Sequence, residues 1–283
     1  MRIDCHVHTR MGEGYMDLAA YDPIKFQKQI KEAGMDGLAV YSPSPKRYEK
    51  KTWDERMKAG IEFCKGYDNL YPFYWINPLD EDAFLQIDKA IEMGYVAFKI
   101  ICFDFYPSDK RCMDVCERIA QKGKAVMFHS GICWDGRNSA NFNKPSNFEC
   151  LIDIPKLRFC LAHLSWPWTD ECIAVYGKFN NDCYTKTPQT RCEMFMDVTP
   201  GTPEVYREEV FKKLILTGYD IDDHLMFGSD RNTDDYTVSF IKNWQRTDDE
   251  LYAKYYSGDL EKFKANVYGN NFFKFIGTDA PKK

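Results

Sequence analysis

The chain has 283 residues, 44% of them hydrophobic and 16% aromatic, with a formal net charge of -5 and a pI near 5.6. That balance argues against nucleic acid or an anionic membrane as the main partner, and no run approaches the roughly 18–20 apolar residues of a membrane span. The length suits a single α/β barrel, which takes about 250 residues, so residues 1–283 read as one domain.

In chain order, short apolar runs alternate with amphipathic stretches. The first run, Arg2–His8, leads to a helical pattern at Pro23–Ala33. The pair repeats at Gly37–Ser42 with Trp53–Gly66, Tyr71–Asn77 with Glu81–Met93, and Val96–Cys102 with Lys110–Lys122. It continues at Ala125–Ser130 with Ser146–Leu157, Arg158–Leu164 with Asp170–Phe179, and Glu193–Thr199 with Pro203–Thr217. His224–Asp230 completes the strands before a helical C-terminal region from about Asp235. Helix-stopping glycines follow at Gly34, Gly94, Gly123 and Gly218.

Strict alternation predicts parallel strands, because each parallel neighbour needs a crossover. The predicted fold is therefore α/β, a (β/α)8 barrel of the TIM type with a helical C-terminal extension. A doubly wound open sheet competes, but it usually carries a Gly-rich phosphate turn after its first strand. His6-Val7-His8-Thr9 is nothing of that kind. The Trp134–Asn147 stretch reads as a long loop on the active face. Met1-Arg2-Ile3-Asp4 has no signal-peptide character. Eleven cysteines, with no Cys-x-x-Cys pair, then read as reduced thiols of a cytoplasmic protein.

Histidine placement carries the functional reading. Alternation along a strand puts Asp4, His6 and His8 on one face of the first strand, and Cys5 and Val7 on the other. His129 ends the fifth predicted strand, His163 the sixth and Asp230 the eighth. C-terminal strand ends are where barrel active sites are built. A core histidine is the ordinary explanation for any one of these, but the recurrence at one rim favours a site. Three imidazoles and a carboxylate suit a divalent cation, with room for a water molecule. His224, six residues before Asp230, falls at the opposite rim and reads as structural.

These residues resemble the amidohydrolase superfamily, and within it the amidohydrolase-related branch that includes aminocarboxymuconate-semialdehyde decarboxylase. Ile3-Asp4-Cys5-His6-Val7-His8 looks like its Asp-x-His-x-His strand. Phe159-Cys160-Leu161-Ala162-His163-Leu164-Ser165-Trp166-Pro167-Trp168 is similar to its His-Leu-Gly-x-Pro-Trp signature, with Ser165 in place of glycine. Met226-Phe227-Gly228-Ser229-Asp230 matches its Phe-Gly-Ser-Asp strand, although Arg231-Asn232 then departs from the branch. Tyr268-Gly269-Asn270-Asn271 is similar to its terminal Gly-Asn-Ala. The resemblance implies His6, His8, His129 and Asp230 as metal ligands. It implies Asp230 as the proton-handling group and His163 as the residue that polarises substrate or moves a proton. Zinc is the first expectation, with manganese, iron(II) and cobalt as alternatives. One metal is favoured over a binuclear site in which Lys99 bridges two ions together with His129 and His163.

The chemistry expected first is hydrolysis of a small ester, lactone or amide by a metal-activated water. Decarboxylation of an unsaturated or aromatic acid is the alternative, and a catalytically silent metal-binding barrel is the non-enzymatic one. Release of carbon dioxide separates the first two; absence of turnover at full metal occupancy marks the third. Arg10, Lys46, Arg47, Arg137, Arg191 and Arg231 are candidate anion contacts for a carboxylate-bearing substrate. Arg10, Lys99, Trp134 and Trp166 lead the substrate-binding candidates. Tyr41, Trp75, Phe105, Tyr106 and Trp168 also follow strands and are candidates for an apolar wall. The partner is a small molecule rather than nucleic acid or membrane, with a homodimer left open.

Overall fold

The computed structural model describes residues 1–10, 21–45, 51–134 and 136–281. Lys46 and Arg47, two of the anion contacts read from the sequence, lie outside them. The strands are β1 (Ile3–His8), β2 (Gly37–Tyr41), β3 (Leu70–Trp75), β4 (Ala97–Ile100), β5 (Ala125–Phe128), β6 (Arg158–Leu161), β7 (Glu193–Asp197), β8 (Leu225–Met226) and β9 (Arg231–Asn232). They pair in parallel as one sheet in the order β8-β7-β6-β5-β4-β3-β2-β1-β9.

Helices fill the crossovers: α1 (Pro23–Glu32), α2 (Trp53–Cys64), α3 (Ala83–Met93), α4 (Lys110–Gln121), α5 (Thr169–Asn181) and α6 (Glu204–Leu216). Local chemistry sets their ends. Asp22 caps α1 ahead of Pro23, Thr52 and Glu55 form a reciprocal capping box on α2, and Gly94 ends α3 in the left-handed region. The alternation thus produces the expected (β/α)8 barrel. No helix among the described residues is long and apolar enough to cross a membrane.

Four local features differ from the sequence expectation. The eighth strand is split, with β8 on β7 and β9 on β1. Between them, Cys5 N donates to Phe227 O at 3.0 Å and Asp230 N to His6 O at 2.9 Å, which closes the ring. The predicted helix at Ser146–Leu157 is instead a run of 3-10 turns over Pro145–Asp153. β6 stops at Leu161, so His163 lies in the turn beyond the strand. Finally, the β1–β2 register breaks between Asp4 and Val7. Ile3 and Cys5 point into the barrel while Val7 packs in the outer layer. The irregularity turns His6 and His8 inward and leaves Asp4, whose Oδ2 accepts from Tyr236 Oη, off their face.

Two apolar layers result. One lies between strands and helices; the other fills the barrel with Ile3, Cys5, Ala39, Phe73, Ala97, Ala125, Met127 and Cys160 among others. The C-terminal region carries α7 (Val238–Tyr255), α8 (Leu260–Ala265) and α9 (Asn271–Ile276). α9 seals the end opposite the histidines. Phe275 is fully buried, with its ring 5.2 Å from Phe195 and 6.3 Å from Phe73. Phe275→Ala leaves a cavity at the barrel floor and is expected to lower stability by about 3–5 kcal/mol, measured by urea denaturation.

Candidate active site

Side chains above the C-terminal strand ends line a cavity of about 820 Å³. His6, His8, His129, His163, Asp230, Lys99, Arg10, Trp134 and Trp166 all reach it, as the sequence leads one to expect. So do Trp75, Arg137 and Arg231, whereas Tyr41, Phe105, Tyr106 and Trp168 are not among its walls. Tyr41 lies against the imidazoles, 4.8 Å from the His6 ring and 5.1 Å from that of His8. Arg191 is misassigned by the sequence reading. It precedes β7, where it pairs with Glu193 beside Lys156 and Arg158, at the opposite rim. His224 is structural there, between Tyr176 Oη and Lys274 Nζ.

His6, His8 and Asp230 offer ligand atoms that all lie within 4.8 Å of one another. Asp230 Oδ1 stands 3.0 Å from His8 Nε2 and 3.4 Å from His6 Nε2. His129 is outside that group, its ring 5.1 Å from the ring of His163, and its Nε2 is buried with no hydrogen-bond partner among the described residues.

Asp197, which the sequence reading passed over, organises this cluster. It is fully buried at the end of β7. Its Oδ2 accepts from His6 Nδ1 at 2.8 Å. Its Oδ1 accepts from His163 N at 2.7 Å, Thr199 Oγ1 at 2.6 Å and Thr199 N at 3.2 Å. Thr199 spends its hydroxyl hydrogen on Asp197, so in its contact with His163 Nδ1 the imidazole N–H is the donor. Both His6 and His163 therefore carry their hydrogen on Nδ1 and keep a lone pair on Nε2. His6 Nε2 is buried and has no hydrogen-bond partner among the described residues. It faces a carboxylate oxygen with no hydrogen between them, and two electron-pair donors so placed repel unless a cation lies between. The donor set fits a divalent metal.

The charge states agree with that fit. Burial pushes the His6, His8 and His129 imidazoles below their usual range, and brings His163 down to about 4, so all are neutral, the form that ligates. Burial works against ionisation of Asp197 and Asp230. The electrostatic pull of the His6 and His163 imidazoles on both, with hydrogen bonds from His6 and Thr199 to Asp197 and from His8 to Asp230, outweighs it and holds both carboxyls well below the carboxylate range.

The backbone is shaped around these groups. His163, Leu164, Ser165 and Asp230 have positive φ, at 63°, 44°, 55° and 53°, conformations that cost about 1–3 kcal/mol each away from glycine. The turn aims His163 back over the barrel. Gly201 leaves room for it, since a Cβ there would stand 2.7 Å from His163 Cβ and Cγ. Asp4 ties β1 to the segment between β8 and β9 that carries Asp230, accepting from His6 N at 3.1 Å and Ser229 N at 2.9 Å. Burial pushes its carboxyl up to about 6.

A sequence profile of the amidohydrolase family matches residues 3–271. The chain belongs to the amidohydrolase family. It is a metal-dependent hydrolase of that superfamily, with metal-binding residues on a TIM barrel. Among solved structures, an amidohydrolase from Burkholderia multivorans with bound HEPES is 9% identical, covering 98% of this chain and 99% of its own, with a TM-score of 0.66. Amidohydrolase 2 from Bifidobacterium longum subsp. infantis is 10% identical over 98% and 99%, TM-score 0.62. An amidohydrolase from Burkholderia ambifaria with bound zinc is 11% identical, covering 92% and 68%, TM-score 0.53. At these identities the likeness speaks for the amidohydrolase fold. No curated protein matches the sequence.

The hydrogen-bond assignment makes a direct prediction. Thr199→Val removes the acceptor for His163 Nδ1–H and shifts that imidazole toward its Nε2–H form, while Thr199→Ser retains the wild-type tautomer. The 15N NMR shifts of labelled histidine distinguish the two, and an unchanged spectrum in Thr199→Val contradicts the assignment.

Proposed function

We propose that this amidohydrolase hydrolyses a small ester, lactone or amide, with Asp230 as proton carrier and one divalent metal at His6, His8 and Asp230. The observation that carries the reading is the unpartnered Nε2 lone pair of His6 facing Asp230. His129 is the further candidate ligand, with a buried, unpartnered Nε2 on the adjacent strand. A divalent cation held there supplies Lewis acidity and lowers the pKa of water. Zinc is the first ion to test, because the Burkholderia ambifaria amidohydrolase holds it.

The chain's own groups supply the rest. Asp230 is ionised and reaches into the cavity, so its carboxylate accepts a proton from the attacking water and returns it to the leaving oxygen or nitrogen. His163 enters neutral, with its Nε2 lone pair free of the Thr199 contact. It serves as a second proton acceptor rather than as a ready donor to a developing oxyanion. Asp197 and Thr199 hold the His163 ring in place while this occurs. Arg10 is fixed at the mouth by Asp234 at 3.2 Å, beside Trp134 and Trp166, which offer flat apolar faces to a substrate.

Purified protein is expected to contain about one divalent metal per chain and to lose activity on chelation. His6→Ala and His8→Ala are expected to remove the metal, and His224→Ala to retain it, by elemental analysis. Asp230→Asn is expected to lower kcat by about 10²–10⁴-fold, since an amide cannot take the proton. A panel of esters, lactones and amides, run with detection of carbon dioxide, tests the reaction class. Carbon dioxide release without carbonyl hydrolysis moves the assignment to decarboxylation, the alternative that the family resemblance raises.

A further inference from the structure

A second cavity, of about 360 Å³, opens on the rim opposite the histidines and is lined by Lys156, Arg158, Pro188, Gln189, Arg191 and Glu193. It forms where β6 and β7 begin, with Lys156 N donating to Arg191 O at 2.9 Å and Glu193 N to Leu157 O at 2.8 Å. Its volume falls at the small end of the roughly 300–1,000 Å³ of small-molecule sites.

Three cations face one carboxylate there, and that carboxylate is already engaged. Glu193 Oε1 accepts from Arg191 Nε at 3.1 Å and from Arg191 Nη2. Burial works against its ionisation, and the charges of Lys274 and Arg191 outweigh it. Arg158 is fixed by backbone carbonyls, donating from Nε to Phe275 O and from Nη2 to Gly123 O, both at 2.7 Å. Gly277 packs against that guanidinium with no room for a Cβ. Neither arginine spends its Nη1 on a protein group among the described residues, and Lys156 Nζ has no partner among them. Lys156 also stands in the left-handed region, at φ 63°, where few residues other than glycine, asparagine and aspartate settle. Burial, and after it the Arg158 guanidinium, pushes the Lys124 amine below its ordinary range, so a fourth cation adjoins Arg158.

We propose that this floor pocket binds a phosphate group, free or carried on a small phosphorylated molecule, with Lys156 Nζ, Arg158 Nη1 and Arg191 Nη1 donating to its oxygens. A phosphate dianion matches an excess of two positive charges among the lining residues, whereas a monocarboxylate leaves one of them unmatched. Guanidinium planes held in advance by a carboxylate and by backbone carbonyls lose little freedom on meeting such an anion. The site stands apart from the catalytic cavity, and its recognition of phosphate does not rest on the hydrolase reading.

The test measures binding without turnover. Metal-loaded protein is titrated with inorganic phosphate, glycerol 3-phosphate and glycerol at constant ionic strength, by calorimetry and thermal denaturation. Both phosphates are expected to bind saturably and to raise Tm, and glycerol to do neither. Lys156→Asn removes the exposed amine and keeps a residue that tolerates the left-handed backbone. It is expected to lower phosphate affinity by about tenfold or more and to leave metal content unchanged. Arg191→Gln is expected to do the same. Tighter binding of the ester than of the ion assigns the pocket to a phosphorylated small molecule, and equal affinity assigns it to the free ion. Absence of saturable binding of both overturns the proposal. So does undiminished binding by either variant, which places the phosphate on the metal or on basic groups of the active face.

Discussion

One buried carboxylate, Asp197, sets the chemistry of everything around it. It accepts hydrogen bonds from the side chain of His6, the backbone of His163 and both polar groups of Thr199. Charged acceptors make the stronger hydrogen bonds of proteins, and in a dry interior an unpaired carboxylate is costly enough to enforce them. The two imidazoles are thus held by the same anion, one directly and one through a hydroxyl. Each presents its unprotonated nitrogen to the cavity. In the proposed site, the geometry of His6 as ligand and that of His163 as proton acceptor are consequently linked: a displacement of β7 moves both.

The electrostatic balance of the cavity follows. Four neutral imidazoles surround one carboxylate, Asp230, while the Lys99 amine, its pKa lowered by burial, lies inside the barrel. The chain as a whole is acidic, with a net charge of -5, yet its active face gathers basic groups. Long-range attraction of anions is weak for such a protein, and charged groups act most strongly on one another at short range inside the cavity, where the local dielectric is low.

Much of this was legible in the sequence because a parallel barrel converts position along a strand into position in space. His8 and His129 sit at or just past a C-terminal strand end, His6 two residues before one and Asp230 between β8 and β9, and alternating strand and helix patterns were enough to place all four on one cavity. The same logic failed where strand geometry is irregular. The register break after Asp4 is invisible to a period of two, so Asp4 appeared to share the histidines' face. Arg191 precedes its strand rather than following it, which sends it to the opposite rim. Asp197 gave a signal that was overlooked, a carboxylate closing the apolar run Met194-Phe195-Met196. Its partners His6 and His163 lie 191 and 34 residues away, so pairing them requires the fold. Trp244 enters the cavity from α7, and its helical spacing looks the same as that of a core residue.

The way the barrel closes couples ligand binding to mechanical integrity. β8 and β9 are each only two residues long, and the segment between them is held to β1 by the amides of Cys5 and Asp230. His6 and Asp230 thus stand on opposite lips of the seam while facing the same point in the cavity. In the proposed site, an ion held by both would act as a staple across this seam. By linkage, its binding free energy then becomes resistance to opening. On that reading, catalytic competence and the closed state of the fold would be lost together.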